Sequence, residues 1–246
     1  MKYIAAAIAL LLSGSLSATS LKEQLNQALK PKANPSAPAA NTALTQSDAS
    51  SGVKEALAQG VSASIAKLGS PDGFLKDQAV KLLVPKKLRG MTDTARRLGA
   101  GKYVDAFELS MNRAAEQAVP ATAEVFGNAI RQMSVSDALG IVRGEPDAAT
   151  QYFRRTSGEQ LKATMLPIVA KATAQTGVTK SFKSMSDQSG GMLNRLSGGE
   201  AVDLDRYVTD KALDGLFFYI ASKERDIRAN PLQAGSNLLA RVFAKK

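Results

Sequence analysis

The 246-residue chain carries 32 Lys and Arg against 22 Asp and Glu, a formal net charge of +10, and has no His, Cys or Trp. Lacking His it cannot build a Ser-His-Asp triad, lacking Cys it has neither thiol nucleophile nor disulfide, and a typical zinc site has lost both of its usual ligands. With 44% hydrophobic, 22% charged and only 5% aromatic residues, the composition is globular, and Ala, Leu, Val and Met must fill a core that no covalent staple supports.

The start of the chain has the order of a secretory signal. Lys2 is followed by an unbroken apolar run, Ile4 to Leu12, and then by small polar residues to Ser20. Ser15 and Ser17 suit cleavage before Ala18, so residues 1–18 are expected to be a signal peptide and the protein to be exported and periplasmic. The apolar run is well short of the roughly 20 residues that span a bilayer, and no later stretch approaches that length, so no transmembrane segment is expected in the mature chain. Pro31, Pro35 and Pro38 among Ala, Asn and Ser make residues 19–46 a flexible leader. Residues 47–246 are then expected to form a single helical domain.

Within that domain, Ser47 reads as a helix cap, and Val53, Leu57, Val61, Ile65 and Leu68 recur at helical spacing until Gly69. Ser70-Pro71-Asp72-Gly73 is a turn by composition, with Phe74 and Leu75 folding back onto the core. Val80 to Val84, ahead of Pro85, is the one stretch expected to be extended, because a residue preceding proline is pushed out of helical geometry. From Lys86 an amphipathic basic helix places Leu88, Met91, Ala95 and Leu98 on one side. Residues 81–102 hold seven basic side chains, Lys86, Lys87, Arg89, Arg96 and Arg97 among them, against Asp93 alone, a field that favours anionic partners.

The next helix carries Tyr103, Phe107, Met111, Ala114 and Ala118 along one stripe, and Pro120 opens its successor. Ser134 with Asp137 has capping-box spacing for a short helix ending at Gly144, and Ser157 with Gln160 repeats the signal ahead of Leu161, Met165, Ile168 and Val169, where Pro167 should kink the chain. Residues 186–200 are a Gly- and Ser-rich loop. Leu213, Leu216, Phe217, Ile220 and Ile227 share a helical face with Lys223 to Asp226 solvated, and Leu232 to Phe243 form a last helix beyond Asn230-Pro231. The sum is an all-α protein, a compact bundle of about eight to ten short helices with at most one extended segment near 80–84.

Several blocks carry a resemblance. Ser70 to Phe74, Glu108-Leu109-Ser110-Met111-Asn112-Arg113-Ala114-Ala115-Glu116, Ala149 to Arg155, Tyr207 to Thr209, Lys211 to Phe217 and Ile227 to Pro231 occur in this order, and together they resemble the bacterial domain of unknown function 4197 family. The resemblance covers residues 48–244 and implies an exported helical domain, without a reaction, cofactor or partner to carry over.

Few chemistries survive the composition. Ser51 to Lys54 and Ser64 to Lys67 have Ser-x-x-Lys spacing but no Lys-Thr-Gly element accompanies them. Glu108 and Glu116 lie eight residues, about 12 Å of helical rise, apart, too far to act together as a glycosidase pair unless Asp210 or Asp214 closes the gap. Asp203, Asp205 and Asp210 sit where aspartates cap a helix more readily than they hold a cation. No cofactor motif is present. The polar residues embedded among apolar ones are Glu108, Asn112, Arg113 and Glu116, then Tyr152, Arg154 and Arg155, then Lys211 and Asp214. They form either a buried polar network fixing helix register or a cleft in which arginines grip an anionic ligand. The expected function is a non-enzymatic binding or interaction domain for anionic envelope components such as anionic lipid, lipopolysaccharide or an envelope protein. The alternative is a carboxylate-dependent hydrolase of cell-wall glycan with Glu108 and Asp214 in one deep pocket. Nucleic acid ranks last, since export removes the usual substrate.

Overall fold

The computed structural model describes residues 45–176 and 203–231. The predicted signal peptide, all but the end of the leader, the 186–200 loop and the final apolar run from Leu232 lie outside the described residues. Among the described residues there are seven α-helices and two 3-10 turns, and no strand. The helices are α1 (Gln46–Leu68), α2 (Arg89–Arg97), α3 (Gly101–Ala118), α4 (Thr122–Gln132), α5 (Val135–Arg143), α6 (Ala148–Thr176) and α7 (Leu204–Ala229), with 3-10 turns at Lys86–Leu88 and Val119–Ala121. The all-α class holds, with fewer and longer helices than expected: α1, α6 and α7 run 23, 29 and 26 residues.

Helix α1 begins two residues ahead of its predicted position. Thr45 is the cap, its hydroxyl accepting the Asp48 N–H while the Asp48 carboxylate accepts the Thr45 N–H, both at 3.1 Å, a reciprocal box that stabilises by about 1 kcal/mol. The box predicted at Ser134 and Asp137 opens α5. The one predicted at Ser157 does not form: α6 runs unbroken through Ser157 and Pro167. Phe153, Leu161, Met165 and Val169 are all fully buried on it, and burial of that continuous face outweighs a local cap preference. Leu98 is a second correction. Gly99, at φ +80°, ends α2, and Leu98 turns out to solvent with 69% of its surface exposed.

Helices α3, α6 and α7 pack on one another at the centre, and α1 lies against α7, α4 and α5. Phe126 of α4 meets Phe153 edge-on at 5.2 Å and Phe217 at 6.2 Å. Glu224, expected in a solvated run, is buried instead. Its carboxylate accepts the N–H groups of Ala149 and Thr150 at the start of α6, at 2.9 and 3.1 Å. Arg228, paired with it at 2.8 Å, donates to the Ile141 carbonyl near the end of α5 at 2.7 Å. One ion pair thus serves the open ends of two helices.

The least regular part is the most constrained. Between α1 and the first 3-10 turn, residues 69–85 form a strap of turns and then an extended stretch with neither helix nor ladder. The strap buries Phe74, Val80, Leu82 and Val84 and leaves Leu83 exposed, the alternation of an extended chain. Two α3 side chains satisfy its backbone. The Asn112 amide accepts the Leu82 N–H and donates to the Leu82 carbonyl, each at 2.9 Å, standing in for a neighbouring strand. Glu116, one turn on, accepts the N–H groups of Phe74 and Leu75 at 3.1 and 3.3 Å. Arg113 fastens the turn, donating to Glu116 and to Asp72 at 2.6 Å each, with Asp72 in the left-handed region at φ +67°. Gly215 of α7 admits the strap from the other side: a Cβ there would stand 2.8 Å from the Phe74 ring.

Replacing Asn112 strands the N–H and carbonyl of buried Leu82. Asn112→Leu is therefore expected to lose about 2–4 kcal/mol in denaturant unfolding, and Asn112→Asp, which cannot donate to the carbonyl, is expected to be no better. Wild-type stability for either would contradict this anchoring.

Candidate functional site

Where the strap runs into α2, a groove of about 580 Å³ opens against the first turns of α7, within the size range of ligand sites. Its apolar wall is the strap itself, Leu82, Leu83, Val84 and Pro85. Among the described residues Lys81, Lys86, Lys87, Arg89 and Lys211 supply five cations, with Asp203 the one acid. That acid is committed locally, because Asp203 is the N-cap of α7 and accepts the Arg206 N–H at 2.9 Å. Tyr207 lies on the α7 side and donates to the Leu83 carbonyl at 2.8 Å. Burial pushes its phenol above the usual range. The strap is thus held at Leu82 by α3 and at Leu83 by α7, which fixes the groove wall.

Lys81 stands 3.9 Å from Glu108, and Lys211 donates to Asp214 at 3.1 Å. Arg89 begins α2, whose first turn carries no acid and no side-chain cap. Cations gathered at that positive end of the helix dipole add to its positive potential, an unfavourable arrangement that a bound anion would relieve. Of the predicted basic surface, Lys86, Lys87 and Arg89 line the groove, while Arg96 turns away to Asp105 at 2.8 Å and Arg97 is not in the lining.

The predicted polar residues fall into separate groups. Asn112, Arg113 and Glu116 converge under the strap, and Glu108 joins through its carbonyl, which accepts from Asn112 at 2.7 Å. Arg154 and Arg155 diverge. Arg154 lies 4.3 Å over the Phe217 ring and 3.7 Å from Asp214. Arg155 lies 5.8 Å over buried Tyr152 and lines a different pocket of about 390 Å³ together with Asp137. Asp214 lines a pocket of about 280 Å³ that shares Lys81 and Lys211 with the main groove, whereas Glu108 lines neither. Asp203, Asp205 and Asp210 also part company: Asp203 caps α7, Asp205 accepts from Thr173 at 2.6 Å and Asp210 pairs with Lys162 at 2.6 Å. Ser64 of the second Ser-x-x-Lys tetrad donates back to the Gly60 carbonyl at 2.8 Å. Among the described residues no group of three or more acids is placed to hold a metal ion.

Over residues 43–244 the sequence matches the family model described as a protein of unknown function (DUF4197). The chain belongs to the DUF4197 family. No curated protein and no solved structure matches it. In this DUF4197 chain the groove brings together Lys81, Asp203 and Tyr207, which nothing local in the sequence marks as neighbours, since the strap and the start of α7 lie far apart along the chain.

A second tie holds the strap to α1 and α7. Tyr219 donates to Asp77, and Lys67 pairs with the same carboxylate at 3.0 Å while lying 4.6 Å over the Tyr219 ring. The Tyr219 hydroxyl, with the Lys67 ammonium, holds the Asp77 carboxyl below its ordinary range. Lys67 is raised by its bonds to Asp77 and Tyr219, and Tyr219 by burial and then by Asp77. A depressed carboxyl contributes stability above its ordinary pKa that is lost as pH falls through the lower folded value. The raised Lys67 and Tyr219 contribute below their ordinary values and lose it as pH climbs through the folded ones. Thermal melts should therefore show a Tm plateau at neutral pH with a fall on both sides, and Asp77→Asn should flatten the acid fall. Equal acid slopes for wild type and Asp77→Asn would remove Asp77 from the cause.

Proposed function

We propose that this chain is an exported, periplasmic, non-enzymatic binding domain whose groove between the strap and α7 holds an anionic component of the cell envelope. The observation that carries the reading is the charge of the groove: among the described residues five cations line the cavity against one acid, which is already spent as a helix cap. Charge-assisted hydrogen bonds from Arg and Lys are the strong contacts such a wall offers a phosphate or carboxylate. The signal-like start of the sequence supports export, and no described helix is long and apolar enough to cross a membrane. The hydrolase reading gains nothing comparable. Glu116 has both oxygens engaged under the strap, and Glu108 does not line the cavity of about 280 Å³ that Asp214 lines.

Titration with soluble polyphosphate tests the groove. Wild type should bind saturably with an affinity that falls as salt rises, and Lys86→Glu with Arg89→Glu should weaken it by roughly tenfold or more. Undiminished binding by that double variant would overturn the assignment. Fractionation of cells expressing the full chain should find a shortened form in the periplasm, and an unprocessed cytoplasmic product would refute export.

A further inference from the structure

We propose that the groove face is a membrane-docking surface: it seats the phosphate of an anionic phospholipid headgroup among its cations while Leu83 and Phe218 enter the acyl boundary of the bilayer. This rests on the anion-binding reading and names its ligand class. The first observation is what the groove wall lacks. Among the described residues its lining holds no Asn, Gln, Ser or Thr, and the two neutral or acidic polar side chains there are occupied, Tyr207 by the Leu83 carbonyl and Asp203 by the Arg206 N–H. A sugar or peptide needs a mixture of donors and acceptors, whereas a wall of cations and hydrocarbon matches a molecule that is anionic at one end and apolar at the other.

The second observation is the rim. Leu83 and Phe218 are among the few large apolar side chains that the described residues expose, at 48% and 46%. They belong to cavities of about 580 and 280 Å³ that share Lys81 and Lys211, so these two lysines, Lys211 paired with Asp214, line both cavities. Neither projection is accidental. Leu82 and Val84 point inward, Asn112 holds Leu82 from one side and Tyr207 holds the Leu83 carbonyl from the other, which leaves the Leu83 side chain nowhere but out. Phe218 is braced edge-on against Tyr219 at 5.4 Å. Apolar tips flanked by lysine and arginine are the pattern of interfacial binding, where hydrocarbon burial and headgroup attraction add.

The absence of Trp makes the test direct, because Leu83→Trp and Phe218→Trp each introduce a single reporter on the surface. Sedimentation of the full chain with phosphatidylglycerol-containing vesicles should exceed that with phosphatidylcholine vesicles by about tenfold or more at low salt. Emission from either reporter should shift to the blue with the anionic vesicles only. Leu83→Ser with Phe218→Ser should lose vesicle binding while keeping polyphosphate affinity, and Lys86→Glu with Arg89→Glu should lose both. Polyphosphate binding without vesicle binding would overturn the lipid assignment and leave the anion site standing, and loss of neither ligand in the charge-reversed variant would overturn both. Reporter shifts that follow self-association instead of vesicles would assign the face to a second copy of the chain and overturn the proposal.

Discussion

A segment that crosses a helical core without joining a helix or a sheet must find a partner for every buried amide, since each one left unmet costs about 1–3 kcal/mol. In this chain Asn112 and Glu116 supply those partners to Phe74, Leu75 and Leu82, while the turns between them bond to themselves. Asn112 and Glu116 are one turn apart on α3, so they face the same side and grip the strap at two levels. Among the described residues, every buried side-chain polar atom has a partner. The polar cluster inside this core is therefore structural in its first role, as the anchor of backbone that has no secondary structure of its own.

The groove is a consequence of that anchoring. With Leu82 pinned to α3 and the Leu83 carbonyl to Tyr207, the chain arrives at Pro85 already aimed away from the core. Pro85 and the 3-10 turn then deliver Lys86, Lys87 and Arg89 to the rim. A wall built from a backbone held at both edges presents its cations in fixed positions, which is what preorganised recognition requires. The same rigidity separates Leu83 from its neighbours and keeps it in solvent.

Helix type and most boundaries were legible because burial and periodicity agree: the α1 stripe, the α3 stripe and the Ser134 box all appear where spacing puts them. Local signals failed where tertiary burial opposed them, as at Ser157 inside α6 and at Glu224, whose charged neighbourhood hid a carboxylate serving helix ends 75 residues away. The polar group on α3 was legible as a group, since Glu108, Asn112, Arg113 and Glu116 flank the apolar stripe of Phe107 and Met111 and need partners there. What they bind was not, because Leu82 is 30 residues away from Asn112 in sequence and no pattern encodes an amide standing in for a strand. The extended stretch before Pro85 was legible from the proline, and what pairs with it is the Asn112 side chain. Export and periplasmic residence rest on the first residues of the sequence alone.

Native-state hydrogen exchange at single amides reads the central interaction without altering it. The N–H groups of Leu82 and Phe74, bonded only to the side chains of Asn112 and Glu116, should exchange as slowly as the amides in the middle of α3, opening only when the whole core does. Exchange at those two positions at the rate of a surface loop, with α3 still protected, would show that the strap is not held in this way.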